Sequence, residues 1–460
     1  MEKLFNKGGR QLKKILIANR GEIASRVIQT CKRLNIEAVA IYSEADQEMP
    51  FVKEADEAFL IGPPPIQQSY LKGDDIIALA LKEGVDAIHP GYGLLSENSE
   101  FVRKVEDAGL TFIGPDAETI LKMGDKIVAR QTMKNADVPV VPGNDEGIST
   151  LEEAVQIATD IGYPIMLKAS AGGGGVGMVR CEDEQALTQQ FDSVKKRAQM
   201  YFGSDAVFLE KFITNARHIE VQIFGDQQGN VVHLYERNCS VQRRNQKVIE
   251  EAPSPSLSEE AKQALYDAAT KAAQAVHYKN AGTVEFIVDE DEQIYFLEMN
   301  TRLQVEHPIT EEITGLDLVE WQIEVAKGNP LPVSNQGEIS AKGHALEFRL
   351  YAEDPTTFMP SPGMIETYQL GDDSEVRVDN GYEEGGKVTP FYDPLIAKVI
   401  IHRETREEAI EASKRYFDNV LIEGLKTNHL LFSKVLQEPS FVDGNYTTAI
   451  LTKMNDKGEK

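Results

Sequence analysis

Apolar positions in "KKILIANRGEIASRVIQTCKRLNIEAVAIYS" change their period twice. A short apolar run gives way to a stretch that sets Ile23, Val27, Cys31 and Leu34 on one helical face, and a second apolar run follows. The alternation predicts a β-α-β unit. It continues through "DAIHPGYGLLSEN" and "TFIGP", where apolar runs end in Gly or Pro turns. Residues up to about 120 are therefore expected to form a doubly wound open sheet. Ligands of such sheets sit beyond the strand ends, where His89, Gly91, Tyr92 and Gly93 fall. A tight structural turn explains these four residues equally well.

From about residue 125 the texture changes. "DKIVARQTMKNADVPVVPG" reads as a helix running into a proline-rich extended link, a domain junction. "STLEEAVQIATDIG" has helical spacing at Leu151, Ala154 and Ile157, with Gly162 as its stop. "YPIMLKAS" and "GMVRC" are apolar strands around a glycine run. "EEAPSPSLSEEAKQALYDAATKAAQAV" opens with prolines and offers Ser256 and Glu259 as a capping box for an amphipathic helix. The last hundred or so residues, from "GHALEFRLYAEDP" through "PSPG" to "PLIAKVIIH", read as short strands closed by the helix "REEAIEASKRYFDNV". The whole is an α/β and α+β multidomain chain.

In "GTVEFIVDEDEQIYFLEMN" two alternating strands flank an acidic tip, Asp289 to Glu292. A hairpin folded near Asp291 sets Glu285 roughly opposite Glu298, and Asn300 shares the face of Glu298 because side chains alternate. Like charges so placed destabilise a hairpin unless a cation lies between them. Carboxylate and amide oxygens suit Mg²⁺ or Mn²⁺, although a solvent-facing acidic edge is the plainer alternative.

Composition narrows the partners. The 460 residues are 41% apolar and 27% charged, ordinary for a folded chain of two or three domains. Forty-eight basic against 74 acidic side chains give a net charge of −26, which repels nucleic acid over most of the surface. The three cysteines, Cys31, Cys181 and Cys239, lack metal-ligand spacing and suit a reducing cytoplasm. No run approaches the roughly 18 apolar residues of a membrane span, and the start lacks a secretory signal's apolar core, so a cytoplasmic location is expected.

Against that acidic background, local cations become informative. The glycine run Gly172 to Gly175 with Gly177 lies between two strands, which argues against a dinucleotide fingerprint or P-loop, each of which opens a helix. A flap of bare amides can still close over a triphosphate, with Lys168 neutralising charge; a loop of no function is the alternative. In "ERNCSVQRRNQKVIEEAPSP", Arg237, Arg243, Arg244 and Lys247 cluster. Anion binding and a solvated strand neutralised by Glu250 and Glu251 both account for them.

"KILIANRGEIASRVI", "HPGYGLLSEN", "FIGP…MGDK", "KASAGGGG", "ERNCSVQRRNQKVIEEAPSP", "EMNTRLQVEHPITE", "AEDP" and "PSPG" follow one another along nearly the whole chain. Together they closely resemble biotin carboxylase, the ATP-grasp enzyme of acetyl-CoA carboxylase and related biotin-dependent carboxylases. The resemblance implies an N-terminal Rossmann-like domain over 1–123, an ATP-grasp domain over 124–340 with a lid at about 140–212, and a C-terminal domain over 341–455. It implies that Lys126, Lys168, Gly174, Gly175, Glu210, Lys211, Phe212, Ile213, His218, Gln242 and Asn245 hold ATP. Glu285, Glu298 and Asn300 then bind Mg²⁺ or Mn²⁺. Lys247, Arg302, Gln304 and the Val305 backbone bind bicarbonate, Glu306 is its general base, and Arg349 steadies the biotin enolate.

Three departures from the family pattern stand out. Val176 and Val179 stand where the flap usually carries arginines, Asn245 replaces a histidine near the nucleotide, and Ala171 opens the glycine run. A biotin attachment site needs Met-Lys-Met, whereas this chain offers only Leu121-Lys122-Met123 and Thr452-Lys453-Met454. Biotin is therefore expected on a separate carrier protein, with separate carboxyltransferase subunits, and the resemblance alone implies a homodimer. A different ATP-grasp ligase joining a carboxylate to an amine would not require the bicarbonate set. A regulatory subunit that has lost its chemistry would not require Glu306, Arg302 and both metal carboxylates.

Overall fold

A computed structural model of the chain describes residues 9–170, 177–371 and 373–458. Three sheets organise it. The first is wholly parallel and runs, edge to edge, Glu57–Gly62, Glu37–Ser43, Lys14–Ile17, Ala87–His89, Thr111–Phe112. Ile15 and Ile17 face one core and Leu16 the other, which is why three apolar residues run in succession here. Helix Gly21–Arg33 buries Ile23, Val27 and Cys31, as its spacing required.

The second sheet has eight antiparallel strands: Ile294–Asn300, Asn280–Val288, Arg217–Gly225, Val231–Arg243, Gln246–Ala252, His344–Tyr351, Leu395–Arg403 and Val376–Asn380. Gln246–Ala252 pairs directly with His344–Tyr351, so hydrogen bonding runs unbroken past position 340. Three C-terminal strands extend the central sheet in this way, while four short ones pair off in two separate two-stranded sheets. Side chains from both parts therefore meet over one surface.

A three-stranded antiparallel sheet, Met178–Cys181, Ile165–Ala169 and Val207–Lys211, forms the third layer with helices Leu151–Ile161 and Glu184–Phe202. It has its own core of Ala154, Ala158, Ile165, Leu167, Leu187, Phe191, Val194 and Leu209, which suits a unit able to move as a body. Thr150 caps the first helix, and Gly162 ends it at φ 79°. Lys168 pairs with Met178, so the glycine run joins antiparallel strands as expected. Gly174, Gly175 and Val176 themselves lie outside the described residues.

Two local expectations need correction. The helix Glu259–Ala275 is capped by Ser258, whose hydroxyl accepts from the Ala261 amide, and not by Ser256. Glu292 in the acidic hairpin tip accepts from both the amide and the hydroxyl of Ser258, at 2.9 and 2.5 Å, and that contact fixes the helix start. Nor do Arg237, Arg243, Arg244 and Lys247 form one basic patch. Alternation and the tight turn at Arg244–Asn245 send them to different environments.

Candidate active site

Four neighbouring strands set a row of charges. Register places Arg237 beside Glu220, Glu220 beside Glu285, and Glu285 beside Glu298. Three carboxylates on adjacent strands repel one another unless cations intervene, and the flanking side chains supply them. Arg237, wholly buried, reaches Glu220 at 2.5 Å and also donates to Gln222, Thr310 and Thr283. It is a structural counter-charge of the row.

Lys247 enters from the next strand and touches three carboxylates: Glu220 at 2.5 Å, Glu285 at 2.8 Å and Glu306 at 2.7 Å. Burial works against its charge, but these three partners outweigh it and raise the ammonium well above its ordinary pKa. His218 Nε2 lies 2.6 Å from the other oxygen of Glu285, and Gln242 donates to His218 Nδ1 at 2.7 Å. The amides of Asn300 and Gln304 donate to Glu285 at 2.7 and 2.8 Å. Burial pushes Glu285 up, yet Lys247 and His218 hold it well below the usual carboxylate range.

Glu298, at a quarter exposure, is the open end of the row, with Lys126 Nζ 3.4 Å away. Glu285, Glu298 and the Asn300 amide together offer hard oxygen donors, and protein cations already crowd the two carboxylates. That donor set fits a magnesium- or manganese-class ion.

The chain leaves this strand through residues 301–306, answering why so much charge follows an apolar run. Arg302 donates to Asn300 Oδ1, Gln304 Oε1 and the Leu303 carbonyl, and its Nε binds Glu97 at 3.0 Å. Glu306 is the N-cap residue of helix His307–Thr314, and its side chain is fully buried. It receives Lys247 on Oε1 and Arg349 on Oε2, at 2.7 and 2.9 Å. Burial pushes its carboxyl up, but Lys247, Arg349 and Arg237 prevail and hold it well below the usual range. His307, buried and donating Nδ1–H to the Gln304 carbonyl at 2.8 Å, is kept neutral and serves the loop's shape.

One cavity of about 870 Å³ collects these groups. Lys126, Lys168, Glu210, Lys211, Phe212, Ile213, His218, Gln242, Asn245, Lys247, Glu285, Glu298, Asn300, Arg302, Gln304, Val305, Glu306 and Arg349 all line it. The three-stranded sheet supplies Lys168 and Glu210, an ion pair that also holds Arg130 at 3.1 Å. The Lys211 ammonium instead bonds the carbonyls of Gly162 and Tyr163, so this residue offers the cavity its stem and backbone. Asn245 occupies a two-residue hairpin turn with Arg244, at φ 63° and 48°. Among residues that carry a side chain asparagine is favoured in that backbone, which gives its presence a local reason.

Sequence reasoning passed over Glu220 and Glu97 and took Glu250 only as a neutralising partner of the basic cluster. The first had a visible signal, since His218, Glu220 and Gln222 alternate with Ile219, Val221 and Ile223. Glu97 had none, because only the fold carries it 205 positions along the chain to Arg302.

Family models describe the chain in three consecutive stretches: "Biotin carboxylase, N-terminal domain" over residues 11–120, "Carbamoyl-phosphate synthase L chain, ATP binding domain" over 125–334, and "Biotin carboxylase C-terminal domain" over 347–453. A biotin carboxylase of Halalkalibacterium halodurans is 56% identical over 96% of this chain and 97% of its own length. Biotin carboxylase 2 of Bacillus subtilis is 54% identical over 95% and 98%. Among solved structures, the biotin carboxylase domain dimer of Hydrogenobacter thermophilus 2-oxoglutarate carboxylase, in complex with MgADP, ADP and bicarbonate, superposes with a TM-score of 0.94. It is 46% identical, over 97% of this chain and 98% of that one.

Proposed function

The chain belongs to the biotin carboxylase family, and from that premise we propose that it is the ATP-dependent ligase that carboxylates biotin on a carrier protein, in the first half-reaction of acetyl-CoA carboxylase. The observation that carries the reading is Glu306: a buried carboxylate held ionised between Lys247 and Arg349, in the same cavity as the Glu285–Glu298 pair.

Bicarbonate must lose its proton to attack the terminal phosphate of ATP, and an ionised carboxylate within reach takes it. In this reading Lys247, Arg302, Gln304 and the Val305 backbone hold the bicarbonate. Its oxygen bonds to the γ-phosphorus as the bond to the ADP oxygen breaks, giving carboxyphosphate and ADP. Arrival of a second anion also draws Lys247 away from Glu306, which raises the base's proton affinity when it is needed.

Glu285, Glu298 and Asn300 would hold the divalent ions, whose contribution is positive charge beside the phosphate oxygens. Lys168 and Lys126 add fixed positive charge there, and the lid excludes water from an intermediate that hydrolyses readily. Gly174 and Gly175 would contribute their amides to closure. Carboxyphosphate then splits into CO₂ and phosphate, the phosphate takes the ureido N–H proton, and the nitrogen adds to CO₂. Arg349 faces the negative oxygen that develops on the ureido ring.

Acetyl-CoA as the final acceptor, separate carrier and carboxyltransferase proteins, a homodimer and a cytoplasmic setting complete the proposal. Among the described residues no helix is long and apolar enough to cross a membrane. The acceptor is the finest part of this reading: the superposing domain belongs to a 2-oxoglutarate carboxylase. Co-purification of the native carboxyltransferase tests it. The activity itself is tested by ATP turnover with and without bicarbonate and free biotin. Turnover should require bicarbonate and rise with biotin; an ATPase indifferent to both overturns the reading.

A further inference from the structure

Arg349 carries one positive charge and touches two carboxylates. Its terminal nitrogen donates to Glu306 at 2.9 Å, and its Nε lies 2.6 Å from Oε1 of Glu250. One carboxylate is enough to balance one guanidinium, so the second requires a reason. Glu250 lies on Gln246–Ala252, directly opposite Glu347 on His344–Tyr351, and both side chains are completely buried. Among the described residues neither carboxylate has a conventional hydrogen bond, and the ion pair with Arg349 is the one Glu250 makes. Burial, only partly offset by Lys398, pushes Glu347 well above the usual carboxylate range, while burial against Arg349's pull leaves Glu250 at about 7. A buried carboxylate is costly, and this one is offset by a single partner.

The Arg349 backbone is fixed independently. Asn428 donates to its carbonyl at 3.0 Å and accepts from the Tyr351 amide at 2.8 Å, and Lys398 is its register partner on the other side. What the backbone leaves open is the plane of the guanidinium at the end of a long stem. Two anchors at different nitrogens of a planar fork define that plane; Glu306 alone would leave it free to rotate about one contact.

We propose that Glu250 is a positioning residue that fixes the guanidinium plane of Arg349 toward the biotin side of the cavity. The proposal rests on the assignment of Arg349 to biotin made above. Biotin-dependent turnover is measured for the wild type, Glu250→Ala, Glu250→Asp and Glu250→Gln, with kcat and KM taken separately for ATP and free biotin. Alanine removes the anchor and aspartate withdraws its oxygen by about one bond, so both should lose at least about tenfold in kcat/KM for biotin, with KM for ATP within about twofold. Glutamine keeps an acceptor at Oε1 and should recover turnover to within about threefold. Equal activity of the alanine variant and wild type overturns the proposal, as does equal impairment of the glutamine and alanine variants or a matching rise in KM for ATP. Should the alanine variant fail to fold, the aspartate and glutamine variants carry the comparison, and equality between them overturns it. Wild-type turnover that ignores biotin would instead remove the functional reading, before any variant is compared.

Discussion

Lys247 Nζ stands 2.7 Å from Oε1 of Glu306, and the same ammonium contacts two further buried carboxylates. A carboxylate so tightly paired is ionised throughout the physiological pH range, and in the mechanism proposed above substrate loosens the pairing before Glu306 accepts a proton. Glu306→Gln keeps the shape and removes that proton acceptor. Bicarbonate-dependent ATP turnover should fall about 10²- to 10⁴-fold, the usual worth of a general base. Nucleotide affinity, measured by calorimetry, should hold within about threefold because Glu306 faces Lys247 and Arg349 and not the lid.

Chelation should separate activity from stability. Lys126, Lys247 and His218 already lie beside Glu298 and Glu285, so the carboxylate row does not depend on a divalent ion to fold. Excess EDTA should abolish turnover, restored by Mg²⁺ or Mn²⁺, while the melting temperature of the nucleotide-free protein moves by no more than about 1 °C, equivalent to about 1 kcal/mol for a chain of this length. A large fall in melting temperature would show that the ion is structural.

Glu220 gives the opposite separation. It is the counter-charge of the fully buried Arg237, at 2.5 Å, and of Lys247. Glu220→Gln leaves Arg237 with neutral partners alone, and breaking such a buried pair costs about 3–5 kcal/mol. Urea unfolding of the variant should show that loss, and a stability within about 1 kcal/mol of wild type would contradict the row as drawn.

The first strands, the lid helices and the Glu285–Glu298 hairpin were legible because period, caps and alternation are local signals. Arg302 and Glu306 were named through the resemblance that "EMNTRLQVEHPITE" carries. Ser258 was harder to read as a cap than Ser256, since what decides between the two serines is Glu292, more than thirty positions away in the chain. Arg237 looked like one of four surface cations, because alternation sends it inward only once the neighbouring strands are known. Glu250 and Glu347 were illegible altogether: two adjacent-strand glutamates in an otherwise apolar pattern read as solvent-facing, and only the continuity of the central sheet past position 340 buries both.

Glu251 offers a test of linkage at one site. Its oxygens meet His344 at 2.6 Å, Arg406 at 2.7 Å and Tyr446 at 2.5 Å in a fully buried pocket. Burial pushes this carboxyl up, but His344 and Arg406 pull it further down, from 4.5 to about 2. A carboxyl depressed by folding stabilises the fold above its unfolded pKa and ceases to do so as pH falls through the folded value. The contribution is worth about 3 kcal/mol at neutral pH. The stability difference between wild type and Glu251→Gln should therefore be constant from pH 8 to about 4.5 and shrink by about 2 kcal/mol on reaching pH 3. Urea titrations of both proteins across that range measure it directly, and a difference that stays flat to pH 3 would mean that Glu251 is not held ionised by His344 and Arg406.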